Sequence, residues 1–151
     1  MSVRARLTDD LKTAMKAGDA LRVSTVRMVM ARLKDLDIAA RPRGVERIGE
    51  DEVVGALRNM VKSRSEAAAM YRQGDRGELA AKEDAEIAII EAYLPVPMED
   101  AALEAAVDAA VAQSAATGMR DMGRVMAALK GTHGATLDMA RANLLVRARL
   151  G

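Results

Sequence analysis

The chain has 151 residues, of which half are hydrophobic and only two, Tyr71 and Tyr93, are aromatic; 23 basic residues almost balance 22 acidic ones. Cysteine is absent and His133 is the single histidine, which excludes disulfides, thiolate metal sites, cysteine nucleophiles, and any His-rich or Cys–His centre built within one chain. A core drawn from Ala, Leu, Val, Ile and eleven Met is helix-forming material.

Read in order, Val3, Leu7, Leu11, Ala14 and Met15 recur at spacings of three and four and predict a first helix ending near Ala17, with Gly18 as its stop. Asp19 caps a second helix from Ala20 to about Ala40, whose stripe is Val26, Val29, Leu33, Leu36 and Ala40, widened by Met28, Met30 and Ile38. Arg41-Pro42-Arg43-Gly44 ends it. The longest helix runs from Glu50 to Gln73, with Glu50, Asp51 and Glu52 in the first turn where they suit the helix dipole. Gly74-Asp75 breaks the pattern, and Leu79, Ile87, Ile90 and Leu94 line a fourth helix.

Tyr93-Leu94-Pro95-Val96-Pro97 then stops any helix, because each proline lacks an N–H and drives the residue before it out of the α region. Beyond it, Leu103, Ala106, Val107, Ala110 and Val111 trace a fifth helix up to Gly118, and Met122, Val125, Met126 and Leu129 a sixth stopped at Gly131. A seventh runs from Leu137 to Leu150, with Ala140, Leu144 and Ala148 in register. No stretch alternates with period two. The fold class is therefore all-α: a helical N-terminal domain of about four helices over residues 1–94, a proline hinge at 95–98, and a small three-helix C-terminal domain over 99–151. The N-terminal residues lack an apolar run of signal-peptide length, and no stretch approaches the roughly 20 apolar residues of a membrane span. No membrane association and a cytoplasmic location are expected.

Net charge is uneven along the chain. Residues 1–74 hold 15 basic and 10 acidic residues, 75–118 hold 2 and 10, and 119–151 hold 6 and 2. Two basic ends flank an acidic middle, an asymmetry that can mark a polyanion surface or merely clustered surface charge. Glu83, Asp84, Glu86 and Glu91 are read as solvated surface or as salt-bridge partners of the basic helices. An acid–base pair would need a pocket that separates their pKa values. Gly44-Val45-Glu46-Arg47-Ile48-Gly49 has neither the strand nor the Lys-Ser/Thr of a phosphate loop. Ser63 and Ser65 stand beside Lys62 on a helix, not in the Gly/Ser-rich setting of a serine amidase. No catalytic residue, cofactor or metal ligand is assigned, and the chain is not expected to catalyse alone.

The basic positions offer more. At about 100° per residue, Arg58, Lys62, Ser65, Ala69 and Arg72 share one stripe of the third helix, and Arg27, Lys34 and Arg41 one stripe of the second. Arg120, Arg124, Lys130, Arg141, Arg147 and Arg149 fall on the last two helices. Phosphate recognition needs cations held by a rigid scaffold, so Arg120, Arg124, Lys130, Arg141, Arg147, Arg58, Lys62 and Arg72 are the candidate nucleic-acid-binding residues. The scarcity of aromatics argues against a base-stacking platform.

Four runs carry a family resemblance: Arg22-Val23-Ser24-Thr25-Val26-Arg27-Met28; Val61-Lys62-Ser63-Arg64-Ser65-Glu66 with Tyr71-Arg72-Gln73-Gly74 and Arg76 to Leu79; Glu91-Ala92-Tyr93-Leu94-Pro95; and Asp121-Met122-Gly123-Arg124-Val125-Met126. In this order they resemble the GatB/YqeY family, in particular its free-standing YqeY-like members, which are similar to the helical and tail regions of the B subunit of the glutamine-dependent Glu/Asp-tRNA amidotransferase. That subunit's catalytic cradle has no counterpart here. The resemblance implies a tRNA-binding or amidotransferase-associated accessory protein, linked by inheritance to carbon–nitrogen ligase activity with glutamine as amido-N donor. The partners it implies are tRNA and an amidotransferase or aminoacyl-tRNA synthetase complex. Two departures stand out. Val96-Pro97 follows Leu-Pro where the family pattern continues with a polar residue, and Gly134-Ala135-Thr136-Leu137-Asp138 lacks the basic residue of the family's turn before the last helix. The competing expectation, from the acidic middle and the Met-rich faces, is a helical protein-interaction module without a nucleic-acid role.

Overall fold

The computed structural model describes residues 1–151, the side chain of Ala135 excepted. Among the described residues there are seven α-helices and no strand: α1 (Val3–Ala17), α2 (Ala20–Ala40), α3 (Glu50–Gln73), α4 (Gly77–Glu91), α5 (Asp100–Gln113), α6 (Met122–His133) and α7 (Met139–Leu150). Short 3-10 turns occur at Arg41–Arg43, Met119–Asp121 and Gly134–Thr136. The protein is all-α, and two compact units divide it, Met1–Leu94 and Pro95–Gly151. Residues 95–99 carry no regular secondary structure. Among the described residues, no helix is long and apolar enough to cross a membrane.

In the first unit, α1 starts with two satisfied N–H groups: Ser2 Oγ accepts from Ala5 N (3.1 Å), and Glu50 Oε1 at the head of α3 accepts from Val3 N (2.8 Å). It stops at Gly18, whose φ of 69° is a left-handed conformation that costs glycine nothing, and the Gly18 N–H returns to the Ala14 and Met15 carbonyls. Asp19 accepts from Arg22 N and caps α2. The most extensive packing is between α3 and α4, an antiparallel pair joined by the turn at residues 74–76. Leu7, Val26, Leu33, Leu57 and Ile90 are all sealed from solvent, each worth roughly 1.5–3 kcal/mol of transfer free energy. Met15, Met28 and Ile38, expected inside, stand outside. They lie at the edges of their stripes, where three neighbouring helices already fill the core.

The second unit packs α5, α6 and α7 around Leu103, Val107, Val125, Leu129, Leu137, Ala142 and Val146. Three expectations change here. The fifth helix ends at Gln113 rather than running up to Gly118, with Ala115 just beyond it in a left-handed conformation, φ 51°. The sixth helix runs through Gly131 to His133, since a glycine inside a helix costs only about 1 kcal/mol relative to alanine; the turn comes instead at Gly134, φ 53°. The seventh helix turns a different face inward: Ala140, Leu144 and Ala148 are exposed, Leu144 at 70%, while Ala142 and Val146 are buried. Its phase follows from what precedes it. Buried Leu137 plugs the core and Asp138 caps the helix through Ala140 N and Arg141 N, so positions four and eight beyond Asp138 point the same way as that plug.

Candidate nucleic-acid interface

The second unit's six cations fall into two groups. Arg141 pairs with Asp100 on α5 and also donates to the Met98 carbonyl (3.1 Å). Arg149 pairs with Asp108 on α5 at 2.7 Å, and Arg124 with Asp121 at 3.2 Å. Asp121 is itself fixed: the Thr117 backbone N–H donates to it, which with Arg124 and Arg120 nearby outweighs burial and holds its carboxyl below the usual carboxylate range. The remaining three, Arg120, Lys130 and Arg147, are exposed and have no ion pair or side-chain hydrogen bond among the described residues. Arg147 shares the outer face of α7 with Leu144. Of the five candidates expected in this unit, then, Arg120, Lys130 and Arg147 remain available to an external anion, whereas Arg124 and Arg141 are committed to internal partners.

The first unit repeats this division. On α3, Lys62 is exposed and makes no ion pair among the described residues, Arg72 pairs with Asp84 on α4, and Arg58 is half-buried and engaged. The strongest cation of this unit lies off the expected stripe. Arg64 donates through Nε to Glu86 Oε2 (3.0 Å) and through Nη1 to the Met60 carbonyl (3.2 Å), and the two charged side chains are only 13% and 12% exposed. A signal for it exists in the sequence: Arg64 stands seven residues after Leu57, on the apolar stripe of α3, where an unpartnered cation would be too costly. Asp37 follows the same logic, four residues after Leu33 on the stripe of α2. Its Oδ1 accepts from Arg4 Nη2 at 2.6 Å and from Ile48 N at 2.9 Å. The Arg4 bond chiefly, then the Ile48 N–H and the charges of Arg4 and Arg47, hold its carboxyl below the usual range against the opposing effect of burial.

The family-like runs turn out to carry internal contacts. In Glu91-Ala92-Tyr93-Leu94-Pro95, Tyr93 is buried, donates its hydroxyl to Asp10 Oδ2 (2.5 Å) and lies under the Arg6 guanidinium at 5.0 Å, while Arg6 donates to the Ala92 carbonyl (2.7 Å). Burial first, and the Asp10 carboxylate second, push the phenol above its ordinary value. Thr25, in the run on α2, is fully buried and its hydroxyl finds no hydrogen-bond partner among the described residues. Among the cavities of this unit, two lie against the helices described above. One of about 780 Å³ lies between α2 and α3, with Met28, Leu36, Ala56 and Met60 along it and Arg32 and Glu52 at its rim. The other, of about 380 Å³, lies between α1 and α2. Among the described residues no group of three or more metal-binding side chains comes together.

Fold and surface together define a wholly helical protein of two units, each internally cross-paired and each keeping a few cations for solvent. The chain belongs to the YqeY-like protein family, whose model matches residues 4–150. Its curated relatives include the fungal "Altered inheritance of mitochondria protein 41, mitochondrial". That of Lachancea thermotolerans is 32% identical over 108 residues, 71% of this chain and 54% of the relative. Those of Kluyveromyces lactis (34%; 61% of this chain, 50% of the relative) and Vanderwaltozyma polyspora (31%; 58% and 46%) are similar. The chain thus spans about half the length of the relatives it matches. Their mitochondrial names overturn the expectation of a cytoplasmic location. That expectation rested on the charged character of the first residues and the absence of cysteine, neither of which separates cytoplasm from organelle.

Proposed function

We propose that this YqeY-like chain is a tRNA-binding accessory protein, acting beside an amidotransferase or aminoacyl-tRNA synthetase complex rather than as a ligase by itself. Residues 95–98 link its helical N-terminal domain to the three-helix domain that contacts RNA. The observation that carries this reading is the trio Arg120, Lys130 and Arg147, exposed on the second unit with no ion pair or side-chain hydrogen bond among the described residues. Family membership supports it. Cations already tied to a carboxylate gain little from a phosphate, because they exchange one anion for another; untied ones neutralise phosphates and so displace the counterions condensed on the nucleic acid.

Binding of a tRNA transcript, followed by fluorescence anisotropy, should weaken with salt at a slope of about −0.7 to −0.9 per phosphate neutralised. Reversing the charges of Arg120, Lys130 and Arg147 together should abolish most of that slope, across tRNA species alike. Absence of binding at low salt, or binding that ignores salt, would sink the reading. A second reading, a module that docks an amphipathic helix of a protein partner, has its own support in the cavity of about 780 Å³ between α2 and α3, floored by Met28 and Met60, since methionine adapts to varied apolar partners.

A further inference from the structure

The cavity of about 380 Å³ between α1 and α2 has a charge arrangement that the RNA reading of the second unit does not use. Its lining includes Arg4, Lys34, Asp37 and Arg47, above apolar residues such as Leu7 and Met30. Arg4 is spent on Asp37. Lys34 and Arg47 are exposed and make no ion pair or hydrogen bond among the described residues, so the pocket keeps two positive charges in excess. Asp37 is half-used: both of its hydrogen bonds arrive at Oδ1, which leaves Oδ2 as an acceptor in a cavity wall. Met30 is half-buried and Ala31 exposed beside it, and such apolar flooring strengthens nearby electrostatics by displacing water.

We propose that this cavity binds a small phosphorylated molecule of nucleotide size, with its phosphate on Lys34 and Arg47, a hydroxyl or amino group donating to Asp37 Oδ2, and its organic body over Met30 and Ala31. The size falls within the range of small-molecule pockets. The guanidinium of Arg47 suits a phosphate's oxygens in a paired geometry and the Lys34 ammonium adds a point charge. Asp37 does not repel such a ligand, because Arg4 already balances it. A bare phosphate satisfies only the cations; a ligand with sugar or base also uses Asp37 and the floor.

The test is a titration of the full chain with AMP, with an RNA tetramer carrying a terminal phosphate, and with inorganic phosphate, followed by amide chemical shifts. The first two arms separate a free nucleotide from a strand end as the source of the phosphate. Saturable binding of either one, tighter than that of inorganic phosphate and weakened about tenfold by Lys34→Ala or by Arg47→Ala, is the expected result. Both side chains are exposed, so the variants should keep the wild-type melting temperature. The proposal is overturned if neither organic phosphate saturates, if inorganic phosphate binds as tightly as they do, or if both variants bind like the wild type. The tetramer can also meet Arg120, Lys130 and Arg147, so shifts are read at residues lining the cavity and the titrations are repeated with those three charges reversed, which lets the pocket and the RNA surface fail separately.

Discussion

The two units solve one charge problem at different depths. Each sets an acidic helix against a basic one: Asp84 and Glu86 of α4 serve Arg72 and Arg64 of α3, and Asp100 and Asp108 of α5 serve Arg141 and Arg149 of α7. In the first unit the key pair is nearly enclosed, at 13% and 12% exposure, whereas in the second the acids Asp100 and Asp108 stand 91% and 59% exposed. Four acids of the acidic middle, Asp84, Glu86, Asp100 and Asp108, thus serve as counter-charge within the units, and the cations that matter for a partner are those left over.

That contrast can be broken most directly at Glu86. Glu86→Ala strands the Arg64 guanidinium in a closed setting and should destabilise the first unit by about 3 kcal/mol. Asp108→Ala frees Arg149 into water and should cost the second unit less than about 1 kcal/mol. Hydrogen exchange resolved by residue measures both; equal losses would erase the distinction.

Acid should reach each unit through its own carboxylate, Asp37 in the first and Asp121 in the second. Asp37 has a lower pKa folded than unfolded, so its pairing contributes fully above the unfolded value of about 3.9 and is lost as pH falls through the folded one. The first unit should lose stability below about pH 4, and Asp37→Asn should flatten that limb while leaving the second unit's acid response as it was. Smaller is the effect at Thr25. Thr25→Val removes a buried hydroxyl without a partner at nearly constant shape and should stabilise the first unit by about 1 kcal/mol in denaturant melts; a loss would mean the hydroxyl is used. Smallest is Ala115, whose φ of 51° is left-handed. Ala115→Gly should stabilise the second unit by about 0.5 kcal/mol, visible as a slight rise in its melting temperature.

Helix limits were legible because local chemistry writes them: Gly18 and Asp19 mark one junction, Gly74 and Asp75 another, and the prolines a third. The face of α7 was not, since Ala and Leu occur on both of its sides and only the plug at Leu137 chooses between them. The cationic stripes were legible as positions but not as free charges. Whether Arg72 or Arg141 is available depends on Asp84 or Asp100 arriving from another helix, and helical spacing carries no information about that. The charged residues on apolar stripes, Arg64 and Asp37, were the clue that reading by surface stripes passed over.

The contact between Tyr93 and Asp10 joins residues 83 apart in the chain, and this separation sets when it can form. Closing so long a loop carries a larger entropic cost than bringing Arg64 to Glu86 across 22 residues. The α3–α4 hairpin should therefore assemble early in refolding, and α1 should fasten onto the end of α4 late. The chain also supplies a means of watching it. Without Trp or Phe, its intrinsic emission comes from two tyrosines, and once Tyr71 is replaced by Phe, Tyr93 becomes a lone optical probe at the seam that shuts last.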